Sequence, residues 1–197
     1  MAPLGAPLPR WPWFLLALLL AGVMGAGLRQ GMPPADAAGI PDFSLTDEGG
    51  RMFGRKDLDG RVWIAGFIFT RCAGICPVVT ERMASFQASG ADLVSFTVDP
   101  GFDTPEVLKA YARAHGIVPG RWHFLTGPRD PLYRLIGQGF HLAVAASSDA
   151  SEPVTHSDRL VLVDRRGRLR GTYRSGEAED MDRLRRDLET ALREPAP

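Results

Sequence analysis

The chain has 197 residues, enough for one domain of ordinary size plus a tail or anchor, and 45% of them are hydrophobic. That apolar content excludes general disorder. The 23 basic residues balance 23 acidic ones, so no net field draws the chain to nucleic acid or to acidic lipid.

The first ten residues are followed by "WPWFLLALLLAGVMGAGL", an uncharged run over 11–28 bracketed by Arg10 and Arg29. As a helix it would reach about 27 Å, close to the ~30 Å hydrocarbon layer. Trp11 and Trp13 would lie at the interface. We read 1–10 as a cytoplasmic N-terminus, 11–28 as a transmembrane anchor or a signal segment, and 29–39 as a linker. The small residues "ADA" at 35–37 would suit cleavage if the run is a signal peptide. Either way, residues 40–197 form a domain outside the cytoplasm, where two neighbouring cysteines can oxidise and persist as a disulfide.

Within that domain "PDFSLTDEGGRMF" predicts a β-hairpin around Gly49-Gly50, and the apolar run "RVWIAGFIFT" predicts a central strand covered on both faces. A helix follows Pro77, with Val79, Met83 and Phe86 on one face. "DLVSFTVD" is a second buried strand. "DTPEVLKAYARAHG" is a helix with Thr104 at its N-cap, Pro105 in its first turn and Gly116 at its close. "WHFLTG" and "RLVLVD" are short strands, and "RRGRLRGTY" turns into another. The last helix turns Met181, Leu184, Leu188 and Ala191 inward. Strands alternating with helices imply an α/β domain. A cysteine pair between a central strand and a helix is the thioredoxin-like arrangement, and a leading hairpin is the peroxiredoxin-like variant of it.

Cys72 and Cys76 are the only cysteines, with three residues between them and Pro77 directly after. Proline suits a first helical position, which would put Cys76 at the N-cap, where the positive end of the helix favours thiolate. Gly74 gives the loop freedom either to close a disulfide or to open around an ion, and spacing alone leaves both open. Two thiolates outside the cytoplasm suit copper(I), and an imidazole would complete a three-coordinate site. Of the four histidines, His115 reads as a surface residue, and His123 and His141 read as structural. His156 ends a polar loop just before a strand, a place where binding residues concentrate. The basic residues Arg159, Arg165, Arg166, Arg168, Arg170 and Arg174 read as a solvated hairpin face rather than as a docking patch for an acidic partner.

The motifs "FTRCAGICP", "FTVDPGFDTPEVLKAYARAHG", "WHFLTG" and "VTHSDRLVLVDRRGRLRGTY" stand in an order that resembles the Sco/SenC family, over residues 40 to 195. These are membrane-anchored, thioredoxin-like copper proteins. The resemblance implies Cys72, Cys76 and His156 as ligands of one copper ion, Cu(I) or Cu(II), and Cys72 and Cys76 as a redox-active pair able to form a disulfide. It implies a metallochaperone for the dinuclear copper centre of cytochrome c oxidase. Its partners would be the copper-centre subunit and other copper chaperones, on the periplasmic side of the bacterial inner membrane. The alternative is a thiol–disulfide oxidoreductase that reduces the cysteines of that oxidase site. A thiol peroxidase fits less well, because its threonine would stand three residues before the cysteine and Thr70 stands two before. Asp99 ends the strand beside the cysteine strand. It can orient a ligand or hold a proton, or simply form the turn before Pro100. Ala73 departs from the family's usual proline after the first cysteine, and the stretch between "TVDP" and "DTP" is short and glycine-bearing.

Overall fold

Six consecutive residues, Trp63–Ile68, form the central strand β3, and all six are buried. Such a run fits only a strand covered on both faces. The computed structural model describes residues 39–72, 74–118, 120–146, 154–155 and 158–196. Before β3 come β1 (Ser44–Thr46) and β2 (Met52–Gly54), an antiparallel hairpin that turns at Gly50 with φ at 77°. β3 pairs in parallel with β4 (Asp92–Thr97), from Trp63–Asp92 to Ile68–Thr97. β4 pairs in parallel with β5 (Trp122–Leu125). A separate short pair is made by β6 (Ala145–Ala146) and β7 (Val154–Thr155). β8 (Arg159–Val163) runs antiparallel to β3, and β9 (Leu169–Arg174) antiparallel to β8, so the main sheet is ordered β5-β4-β3-β8-β9.

The helices are α1 (Ile75–Ala84), α2 (Pro105–Ala114), α3 (Arg129–Arg134) and α4 (Ala178–Arg193). Thr104 caps α2 through its side chain with Pro105 in the first turn, and Gly116 follows its end at φ 64°, as the sequence predicts. The inward faces also agree. Val79, Met83 and Phe86, then Met181, Leu184, Leu188 and Ala191, are all buried. The segment after β5 differs from the sequence pattern. α3 is only six residues long, carries Pro131, and passes into a π-helical turn at Leu135–Gly139, too short a stretch for apolar periodicity to register.

The sheet's two faces divide by strand alternation. Trp63, Phe67 and Phe96 point one way, into rings from Phe43 and from Phe140 beyond the π turn, with Phe96 at 5.3 Å from Phe140 and 5.7 Å from Phe43. Gly66 points the other way, under α1. A Cβ on Gly66 would run into the Met83 sulfur, so glycine is what lets α1, the helix that carries Cys76, lie directly on β3.

The hairpin protects an edge of the sheet. Thr46 and Thr126 exchange backbone hydrogen bonds at 2.8 and 2.9 Å, Glu48 accepts the Phe124 N–H at 2.9 Å, and Phe53 stacks on His123 with centroids 4.4 Å apart. An edge strand whose N–H groups are taken offers little to a neighbouring chain. At the other edge the basic residues are tied down more than solvated. Arg168 makes a two-pronged contact to Asp164 at 3.0 and 2.9 Å, and Arg170 another to Glu194. Arg165 donates to the carbonyls of Gly60 and Leu192. Three of the six arginines, Arg165, Arg168 and Arg170, thus hold the β8–β9 turn and the end of α4, while Arg166 and Arg174 remain exposed.

The expected anchor at 11–28, with 1–10 before it, lies outside the described residues. Among the described residues no helix is long and apolar enough to cross a membrane.

Replacing Gly66 by valine is expected to lift α1 and to cost about 1–3 kcal/mol of stability, the usual penalty of overpacking. Urea unfolding of residues 40–197 measures it, and an unchanged midpoint would show that the approach of α1 is not tight.

Candidate functional site

β3 and β4 run out at the same level, Ile68 opposite Thr97, and one further bond joins the Val98 N–H to the Ile68 carbonyl at 2.8 Å. The loops leaving them share the carboxyl end of the parallel strands, where open α/β sheets bind ligands. One loop carries Cys72. The other carries Asp99 and Asp103.

Phe69 is the backbone hub of the cysteine loop. Its N–H donates to the Cys76 sulfur at 3.5 Å, and its carbonyl accepts the Cys72 N–H at 3.2 Å. Cys72 is 8% exposed and Cys76 fully enclosed. The two stand as thiols with their side chains hydrogen-bonded to one another. The helix does not begin where proline suggests. Gly74 is the N-cap of α1, Ile75 and Cys76 occupy the first two helical positions, and Pro77 the third. The first N–H groups of a helix have no intrahelical partner, so proline is tolerated at the third position as well as the first. This shift turns the Cys76 side chain inward. Burial, together with the nearby Cys72 and Asp103, pushes its thiol well above the ordinary range, against the smaller pull of the Phe69 N–H. The expectation of a thiolate at the helix terminus is thus corrected for Cys76: loss of solvent outweighs the helix dipole.

Two acids on the crossing loop grip the residues just before Cys72. Asp99 is buried and accepts the Arg71 Nε–H at 2.7 Å, while its backbone carbonyl accepts the N–H groups of Phe102 and Asp103. It therefore both forms the turn and fixes the residue next to Cys72. Phe102, 46% exposed, lies under the same guanidinium at 4.9 Å. Asp103 has no exposure at all. It accepts the Thr70 hydroxyl at 2.5 Å, the Thr70 N–H at 3.3 and 3.2 Å, and the Thr97 hydroxyl at 2.5 Å. Burial raises its carboxyl above the usual carboxylate range, even with these donors pulling the other way. Thr80, one turn along α1 from Cys76, shares a hydrogen bond of 2.8 Å with the Tyr111 hydroxyl, which burial pushes up to about 12.

Sequence reasoning did not single out Arg71 or Asp103, and it weighed Thr70 only against a peroxidase role. The signal was available. Thr70 closes the nearly all-apolar run at 61–70 and Thr97 ends the second buried strand, and hydroxyls placed there need a partner.

The histidines sort as follows. His115 is exposed and stacks on Tyr111 at 4.3 Å, and His123 is half-buried against Phe53. His141 is exposed, with φ at 56°. His156 lies outside the described residues, between β7, which ends at Thr155, and β8, which begins at Arg159. Among the described residues no three His, Cys, Asp or Glu side chains are grouped to hold a metal. The two sulfurs supply two soft donors, which suits copper(I) in linear coordination and leaves a third position to another residue.

Comparison with known proteins points the same way. The sequence profile of the SCO1/SenC family matches residues 32–193. A SCO1/SenC family lipoprotein from Bacillus anthracis is 30% identical, with a TM-score of 0.73 over 78% of this chain and 95% of that one. BsSco, described as a member of the Sco family of cytochrome c oxidase assembly proteins with a disulfide switch, is 26% identical. It superposes with a TM-score of 0.72 over 84% of this chain and 100% of its own. Yeast Sco1, solved with copper bound, is 25% identical with a TM-score of 0.64, over 80% and 90%. With the family profile matching residues 32–193, well over half of the chain, and solved family members superposing on its fold, the chain belongs to the SCO1/SenC family.

Proposed function

We propose that this chain is a copper metallochaperone that holds one Cu(I) or Cu(II) ion between Cys72, Cys76 and His156 and assists assembly of the dinuclear copper centre of cytochrome c oxidase. The observation that carries this reading is the pair of thiols at the carboxyl end of β3 and β4, one fully enclosed and one keeping 8% exposure. β8 runs antiparallel to β3, so the chain enters β8 at the end of the sheet where β3 gives way to the cysteine loop. That topology supports His156, three residues before β8, as the third ligand. Support for the cargo comes from yeast Sco1, solved with copper bound, and for the partner from the oxidase assembly family to which BsSco is assigned. Asp99 would act on the site through Arg71 rather than as a ligand.

A second reading, thiol–disulfide exchange with the cysteines of the oxidase copper site, draws on the asymmetry of the pair. Cys72, which keeps a little exposure, would meet a partner first, and Cys76, enclosed and hydrogen-bonded to it, would resolve. BsSco, described with a disulfide switch, supports this reading. For location, we propose that residues 11–28 anchor the chain, with 29–39 as linker and 40–197 on the periplasmic side. The lipoprotein character of the Bacillus anthracis relative supports attachment to a membrane.

The experiment that separates the two functions is His156→Ala. Cu(II) binding is expected to be lost and Cu(I) binding only weakened, since two thiolates alone hold Cu(I). Oxidase assembly in cells is expected to fail while dithiol reductase activity persists. Normal assembly together with parental affinity for both copper states would transfer the function to the reductase.

A pH titration tests the enclosed thiol. Copper ligation requires both thiols to lose their protons. A group held protonated above its ordinary range gives up that proton only as pH rises, so affinity must climb with pH. Cu(I) affinity is expected to rise about tenfold per pH unit for each proton displaced, and to keep rising beyond about pH 8.5, where an ordinary thiol is already half ionised. A plateau below that point would mean that burial does not hold the Cys76 proton.

A further inference from the structure

A buried carboxyl is costly, and Asp103 occupies a place where the helix behind it needs none, because Thr104 already caps α2. What the position does use is two acceptor oxygens. One takes the Thr70 hydroxyl and the other the Thr97 hydroxyl, and the Thr70 N–H reaches both. An asparagine there has a single acceptor oxygen and cannot serve all three donors. Thr97 is in turn held, since its hydroxyl oxygen accepts the Asp99 N–H at 2.9 Å.

The Thr70 N–H belongs to the same peptide unit as the Phe69 carbonyl, and that carbonyl accepts the Cys72 N–H at 3.2 Å. A peptide unit is planar and does not twist, so fixing its N–H fixes its carbonyl. We propose that Asp103 is a positioning residue for the cysteine pair: through the rigid Phe69–Thr70 peptide plane it sets the carbonyl on which the Cys72 backbone rests, and so holds Cys72 over Cys76. The acid touches neither the incoming partner nor the reacting sulfurs. It acts two residues back, from the loop of the neighbouring strand. This extends the reading of Cys72 and Cys76 as a working pair, and its test needs no copper.

The test measures how fast the pair closes. Reduced protein is mixed with excess dithiobis(nitrobenzoate), a disulfide oxidant. The Cys72 thiolate attacks its S–S bond, giving a mixed disulfide and one released nitrothiobenzoate, with the thiol proton lost to solvent. Cys76 then loses its proton and attacks the Cys72 sulfur. The Cys72–Cys76 disulfide forms, a second nitrothiobenzoate leaves, and the reagent has taken up two electrons. The second release is first order and reports the relative placement of the two sulfurs.

In Asp103→Asn the second release is expected to slow by about tenfold or more, the scale on which small misplacements act. Thr97→Val, which keeps the acid but removes one of its supports, is expected to slow it in the same direction by less. The slowing is expected to persist from neutral to mildly alkaline pH. Charge alone predicts the reverse, because the Asp103 carboxylate opposes ionisation of Cys76 and its removal would speed the attack. An unchanged or faster second release in Asp103→Asn overturns the proposal. Urea unfolding of the same samples shows whether each variant is folded. If Asp103→Asn is not, Thr97→Val decides, and an unaltered closure rate there is equally fatal. Failure of copper binding in the parent protein would leave this result standing, so the two ideas fall separately.

Discussion

Everything at the site depends on two adjacent parallel strands, both buried along their whole length, ending on the same rung. While β3 and β4 run, their backbone groups satisfy one another. Past Ile68 and Thr97 the ladder stops, but the surroundings stay closed to solvent, and the polar groups released there need partners from the loops. The loop after β4 provides them. Within five residues it places Asp99 on Arg71 and Asp103 on Thr70, with Phe102 laid against the same arginine. The chemistry-bearing segment is shaped mainly by its neighbour.

The same closure explains why one pair of thiols serves two readings. A bare thiolate at Cys76 would sit without water, next to Cys72 and within reach of the Asp103 charge, and all of these disfavour it. Bonding the sulfur to a soft cation or to another sulfur removes that isolated charge. Copper ligation and disulfide formation are thus two answers to one electrostatic problem. On the proposed function, which one occurs would depend on what reaches Cys72, the cysteine that retains some exposure.

Much of the fold was legible because the signals were long or strongly constrained. The unbroken run at 61–70, the proline and threonine opening α2, and the spacing of Met181, Leu184, Leu188 and Ala191 each admit one structure. The stretch after β5 was not, since a six-residue helix and a π turn are too short to show a period. At the site, the cysteines announced themselves by residue type and spacing. Asp103 did not, because its importance lies in where Thr70 and Thr97 come together, and only strand register brings those residues within reach of one carboxyl. The start of α1 was misplaced by two residues for a related reason. Pro77 is compatible with several first-turn positions, and the choice fell to packing of the Cys76 side chain beneath the loop.

The unequal depth of the two sulfurs also decides how the site meets oxidants. A small oxidant such as peroxide would meet Cys72 first, since it keeps 8% exposure and Cys76 has none. A sulfenic acid formed on Cys72 would find the Cys76 thiol already beside it, and their condensation to a disulfide expels water before a second oxidation can yield the irreversible sulfinic acid. Damage is thereby diverted into a state that an ordinary thiol can undo. If the domain works outside the cytoplasm, as proposed, where no cytoplasmic reductant protects it, it would carry its own limit on the extent of oxidation, set by nothing more than one cysteine standing above the other.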